Sequence, residues 1–173
     1  MARVTADRPP SVPVLAGRFD HVAIAAPRLR DLLPLYADLL GGRPIWAGDS
    51  ERYGYRATQL AYPDDSVIEL MEPLNGSPFF TRFFARNGGG FHHATFLVDD
   101  LRPAIAAAQE GGWDLVGERA DDPSWGEVFI HPRSNHGALI QLAETDGTWV
   151  PHGAPPSIEE VLAGQRGNGQ ASP

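Results

Sequence analysis

The chain has 173 residues, and 22 acidic against 14 basic residues give it a formal net charge of −8. It contains no cysteine, and all 14 of its basic residues are arginine. Thiolate nucleophiles, disulfides, sulfur-ligated metal sites and lysine Schiff bases are therefore excluded, and the acidic balance argues against a general nucleic-acid surface. Catalysis is left to histidine, carboxylates, hydroxyls, arginine, or a metal held by nitrogen and oxygen. No window approaches the ~18 consecutive apolar residues of a spanning helix, and the first ten residues lack the apolar run of a secretory signal. A cytoplasmic protein without membrane contact is expected.

Residues 1–16 are expected to form a flexible tail. The first strand is expected at about 18–25, where Val22 and Ile24 alternate with His21, Ala23 and Ala25. A helix capped by Asp31 should then run to a Gly41-Gly42 stop, with Pro34 in its first turn. Strands near 43–49, 54–62 and 66–72 complete a first module over residues 17–75. Residues 76–90 form a connector in which Ser77 caps and Pro78 opens a short helix, with Phe79, Phe80, Phe83 and Phe84 as its apolar face. The second module, residues 91–146, repeats the order: a strand at 91–98, a helix capped by Asp100 with Pro103 in its first turn, and strands near 113–119, 126–131 and 137–144. Residues 147–173 form a second tail, with a short helix expected at 157–164.

The two modules are an internal repeat. Phe19-Asp20-His21 lies over Phe91-His92-His93 at an offset of 72, and Ile68-Glu69-Leu70-Met71-Glu72 lies over Ile140-Gln141-Leu142-Ala143-Glu144 at the same offset. The fold class is α+β, built from two tandem βαβββ modules. Because residues two apart on a strand share a face, Glu69 lies with Val67 and Met71, opposite Ile68 and Leu70, and Gln141 lies likewise between Leu139 and Ala143. His21 and His93 hold matching places on the first strand of each module. The same alternation points His92 to the opposite face from His93, as packing or support. Burying an ionised carboxylate is costly unless it is paired, and a divalent cation between Glu69 and two neutral imidazoles removes that cost. Imidazole, carboxylate and amide oxygen suit Zn, Mn, Fe, Co or Ni.

At these residues the chain resembles the vicinal oxygen chelate superfamily (glyoxalases, bleomycin resistance proteins and dioxygenases), and within it most resembles the methylmalonyl-CoA epimerases. The resemblance is carried by Ile68-Glu69-Leu70-Met71-Glu72-Pro73, Gly89-Gly90-Phe91-His92-His93, Val98-Asp99-Asp100-Leu101, Phe129-Ile130-His131-Pro132-Arg133-Ser134 and Gly137-Ala138-Leu139-Ile140-Gln141-Leu142. It implies a curled, cupped mixed sheet around a metal site, with His21, Glu69, His93 and Gln141 as ligands of a divalent ion. It also implies a homodimer and a small-molecule substrate, an acyl-CoA. The departure is Gln141, where the epimerases usually carry Glu, while Glu69 stands where they often carry Gln. Ligand count survives this exchange, and a Gln141→Glu variant is expected to keep the metal.

The chemistry so implied is removal of a proton next to a carbonyl, which in an epimerase needs a proton carrier on each face of the enolate. Glu69 is one candidate and Glu51 the other. Tyr53, Tyr55 and Trp125 are expected to line the substrate cavity, and Arg133 to meet CoA phosphates. Three alternatives share the resemblance: a glyoxalase-type lyase or other isomerase on a small carbonyl compound, a non-haem Fe(II) dioxygenase using two histidines and one carboxylate, and a non-catalytic small-molecule binding or resistance protein.

Overall fold

Among the described residues, eight strands form one sheet in the order β2-β3-β4-β1-β5-β8-β7-β6. They are β1 (Arg18–Ala25), β2 (Arg43–Ser50), β3 (Tyr55–Ala61), β4 (Val67–Pro73), β5 (Gly90–Leu97), β6 (Leu115–Arg119), β7 (Gly126–Ile130) and β8 (Ile140–Glu144). The computed structural model describes residues 15, 17–50, 53–74, 77–121, 124–147 and 154–164. Most of the two expected tails therefore lies outside the described residues.

The repeat becomes a pseudo-twofold. β1 runs parallel to β4 and β5 runs parallel to β8, while β1 and β5 meet antiparallel at the centre of the sheet. The matched Glu72 and Glu144 explain why their motif recurs. Glu72 accepts a hydrogen bond from the Leu29 backbone N–H at 2.7 Å, and Glu144 accepts from Leu101 at 2.8 Å. In each module the end of the fourth strand thus satisfies a backbone donor of the segment that leaves the first, where no carbonyl of that segment can. The sheet has an apolar cluster on either side of module one. Ala23, Ala25, Trp46, Ala57, Met71 and Phe80 pack on the concave side, while Leu29, Leu33, Ala47, Leu60, Leu70 and Val161 pack on the other.

Among the described residues, three α-helices pack with the sheet: α1 (Pro78–Asn87), α2 (Leu101–Glu110) and α3 (Ile158–Leu162). Asp100 caps α2 through the Arg102 N–H, and Ser157 with Glu160 forms a capping box on α3. Ser77 occupies the N-cap of α1, but its hydroxyl donates to the Tyr53 carbonyl and ties the connector to the cavity rim. Phe80, Phe83 and Phe84 close the concave cluster, as the aromatic spacing predicts. Arg56 grips Asp49 at 2.7 Å and Glu72 at 3.3 Å, and also reaches the Leu162 carbonyl, which anchors α3 to module one.

The first-module helix departs from expectation. The chain forms a 3-10 turn at Leu29–Asp31 and then a π-helical segment at Pro34–Leu39. Asp31 does not cap it, because its carboxylate is held by the Arg28 guanidinium at 2.9–3.0 Å. Pro34 brings no N–H to the ladder, and the bonding after it widens, with the Leu40 N–H reaching back five residues to Leu35.

Candidate metal centre and cavity

Strand alternation sends His21 from β1, Glu69 from β4 and His93 from β5 to the concave face, where all three are buried. Glu69 Oε2 lies 3.7 Å from His21 Nε2 and 3.9 Å from His93 Nε2. Ligands about 2.0–2.2 Å from a common ion sit roughly 3.0–3.5 Å from one another, so the triad needs only a small contraction to hold one.

The tautomers suit the same role. His21 Nδ1–H donates to the Asp20 carboxylate at 2.8 Å, which leaves Nε2 facing Glu69. His93 Nδ1 lies 2.8 Å from His92 Nδ1, so a proton shared there likewise leaves His93 Nε2 directed at Glu69. His92 is not on the opposite face, as plain alternation predicts. The β1–β5 register shifts between Ala23 and Ile24, and this irregularity turns His92 into the cavity beside His93, stacked on Phe80.

Electrostatics mark the centre as a place for positive charge. Burial alone would lower the pKa of His21, but its bond to Asp20 and the nearby Glu69 outweigh burial and raise it to about 9. His93 is pushed well below the usual imidazole range by burial, with the neighbouring His92 and His21 adding to it, and burial lowers His92 to about 4. One proton on His21 therefore stands where a cation would balance Glu69. The donor set, the tautomers and this charge all fit a divalent ion.

An ion held by this triad would have to displace the His21 proton. Apparent Co(II) affinity should rise by about tenfold per pH unit from pH 6 toward 9 and flatten above it, since His92 and His93 carry no proton to release at neutral pH. Spectrophotometric Co(II) titrations across that range read the slope, and a pH-independent affinity contradicts it.

The triad forms part of the wall of a cavity of about 370 Å³. Tyr53, Tyr55, Trp125 and Gln141 line it. Burial, followed by the charges of Glu69 and Glu127, raises the Tyr55 hydroxyl far above the ordinary phenol range and keeps it neutral. Arg133 does not line the cavity. It is largely exposed on the turn after β7 and pairs with Asp114 at 2.8 Å. Glu51 lies outside the described residues.

Sequence reasoning missed four polar cavity residues: Gln59, His92, Arg119 and Glu127. Gln59 sits directly across from Glu69 on β3, and Arg119 on β6 sits across from Glu127 on β7. The period-two alternation that selects Glu69 also places Glu127 and Phe129 on one face of β7. That signal was available in the sequence.

The family model for the glyoxalase/bleomycin resistance protein/dioxygenase superfamily matches residues 20–129. An ethylmalonyl-CoA/methylmalonyl-CoA epimerase of Cereibacter sphaeroides is 31% identical over 137 residues, covering 75% of this chain and 99% of that protein. The mitochondrial methylmalonyl-CoA epimerase of Dictyostelium discoideum is 28% identical over 131 residues, 74% of this chain and 78% of the relative. Among solved structures, the methylmalonyl-CoA epimerase of Mycobacterium tuberculosis aligns with a TM-score of 0.67 at 30% identity, covering 78% of this chain and 91% of that one. A Streptomyces coelicolor methylmalonyl-CoA epimerase in complex with 2-nitronate-propionyl-CoA aligns with a TM-score of 0.66 at 26% identity, covering 78% and 100%. With its paired modules, eight-stranded curled sheet and these relatives, the chain belongs to the glyoxalase/bleomycin resistance protein/dioxygenase superfamily.

Proposed function

We propose that this protein is a metal-dependent epimerase acting on an acyl-CoA of the methylmalonyl-CoA type. The observation that carries the reading is the buried His21–Glu69–His93 cluster in the wall of an aromatic-lined cavity, in a chain whose relatives are epimerases of such substrates. His21, Glu69 and His93, with the amide oxygen of Gln141, would hold the ion. A divalent cation there supplies Lewis-acid polarisation of a carbonyl oxygen and compensates the negative charge that develops when the α-proton leaves.

The chain's own residues supply the rest. Glu69 takes the α-proton onto a carboxylate oxygen as the C–H electron pair moves toward the carbonyl, and the centre inverts when a second acid delivers a proton to the opposite face of the enolate; in the reverse direction the two exchange roles. Glu51 is assigned the opposite face; it follows Ser50 at the end of β2 and precedes the cavity residue Tyr53. Trp46, Tyr53, Phe80, Trp125 and Phe129 exclude water from the reacting carbon, which strengthens every charge interaction inside. Tyr55, held neutral beside both Glu69 and Glu127, offers a hydroxyl without adding charge. The CoA phosphates would stay outside the cavity, where the exposed Arg133 guanidinium would meet them by exchanging its Asp114 partner for phosphate oxygens.

Proton NMR of methylmalonyl-CoA in deuterium oxide tests the reading. Metal-loaded protein should wash deuterium into the α-position and interconvert the two epimers. Metal-loaded protein that incorporates none rejects this substrate.

A further inference from the structure

We infer that Glu127 is a positioning residue for the metal centre: it fixes the amide of Gln141 in the orientation that turns the carbonyl oxygen toward the metal-binding histidines. Gln141 and Glu127 together then take the place of a single glutamate ligand. This rests on reading His21, Glu69 and His93 as a metal site.

The hydrogen bonds decide the orientation. Glu127 Oε2 lies 2.7 Å from one terminal atom of the Gln141 amide, and an ionised carboxylate only accepts, so that atom is the NH₂ group. The carbonyl oxygen is therefore the other end, where it accepts from the Thr95 hydroxyl at 2.6 Å. The same hydroxyl lies 3.1 Å from His21 Nε2, which puts the amide oxygen on the histidine side of the site. Glu127 is the acceptor that holds the NH₂ side, and the reverse orientation would turn N–H groups toward a cation.

Glu127 is itself built in. It is 8% exposed, its Oε2 also accepts from Trp125 Nε1 at 3.0 Å, and its Oε1 faces Arg119 Nε at 3.8 Å. Arg119, 5% exposed, sits directly across from it in the β6–β7 register and balances its charge. A buried carboxylate with two side-chain donors and a facing guanidinium is oriented to hold the amide. The pair also explains why Gln stands at 141. A glutamate there would bring an oxygen with no N–H to within about 2.7 Å of the Glu127 oxygen, setting acceptor against acceptor where the amide now donates. On this inference Gln141→Glu should weaken metal binding, where the sequence alone leads one to expect that it keeps the metal.

The test is a cycle of variants measured by Co(II) titration and by the visible spectrum of the Co(II) form, with thermal unfolding of the metal-free proteins alongside. Glu127→Ala should weaken Co(II) binding by about 10–100-fold, the usual effect of removing a group that orients a ligand, and should change the ligand-field bands. Glu127→Gln keeps an oxygen acceptor for the same N–H and should stay within a few-fold of the parent. Gln141→Glu should weaken Co(II) binding and lower the melting temperature. The double variant Glu127→Gln/Gln141→Glu should restore both, because the amide then donates to the carboxylate in the reverse direction.

A Gln141→Glu single variant that binds Co(II) as tightly as the parent overturns the inference, as does a double variant no better than that single one. If the parent itself takes up no Co(II), the metal reading fails. The coupling between positions 127 and 141 in metal-free melting then still decides whether the pair is built as described.

Discussion

Replacing both His21 and His93 by alanine should abolish metal binding. The two rings provide both nitrogen donors of the buried cluster, each with Nε2 within 4 Å of Glu69 Oε2. An apparent binding free energy of about 10–16 kcal/mol shared by about four ligands makes each donor worth about 3 kcal/mol, so removing two costs roughly four decades of affinity. The double variant should purify without metal and show no Co(II) bands at concentrations that saturate the parent. Because both residues are buried, a His21→Asn/His93→Asn variant, which keeps a polar group in each space, serves as the control for folding, read by thermal unfolding. Stoichiometric Co(II) uptake by a folded double variant would refute the site.

Why this cluster could be read from sequence, and its surroundings could not, follows from how each residue is placed. His21, Glu69 and His93 lie on regular strands, where period two fixes the face, and the recurring offset of 72 identifies the strands that the pseudo-twofold brings together. Glu72 and Glu144 were visible through the same repeat, although their work of receiving the N–H groups of Leu29 and Leu101 depends on parallel pairing, which local pattern does not reveal.

The failures fall where local rules meet a nonlocal decision. Alternation misplaces His92 because the register shift beside it is set by the antiparallel partner β1. The first-module helix is drawn into a π-helical segment by Pro34, and Arg28 takes the carboxylate that a sequence reader would assign to capping. Glu127 is a different case. Its face is legible, but its meaning requires knowing that β7 lies beside β8, and hence that its oxygen meets the amide of Gln141. A glutamine at a position where the resembling epimerases usually carry glutamate looks like a lost carboxylate in one dimension, whereas in three the carboxylate stands one strand away.

The strongest effect on chemistry should come from Glu69→Gln. The change keeps the shape of the side chain and one oxygen that can face the ion, yet removes both the negative charge and the ability to take up a proton. Two consequences separate. Metal affinity should fall only partly, because His21, His93 and the Gln141 oxygen remain; with Co(II) supplied in excess, the site should still fill. Deuterium exchange at the α-carbon of methylmalonyl-CoA should nevertheless drop by about 10²–10⁴-fold, the usual contribution of a positioned general base. The His21 pKa should also move down from about 9, since Glu69 is one of the groups that raises it, while Asp20 keeps it above the value that burial alone would impose. Comparing the two readouts isolates the role of the residue. If the exchange rate recovers to within tenfold of the parent once Co(II) is saturating, Glu69 serves only as a ligand, and the proton must be carried by another group. If exchange stays low in the Co(II)-filled variant, the carboxylate that binds the ion is also the one that takes the proton, and one residue on β4 couples the two.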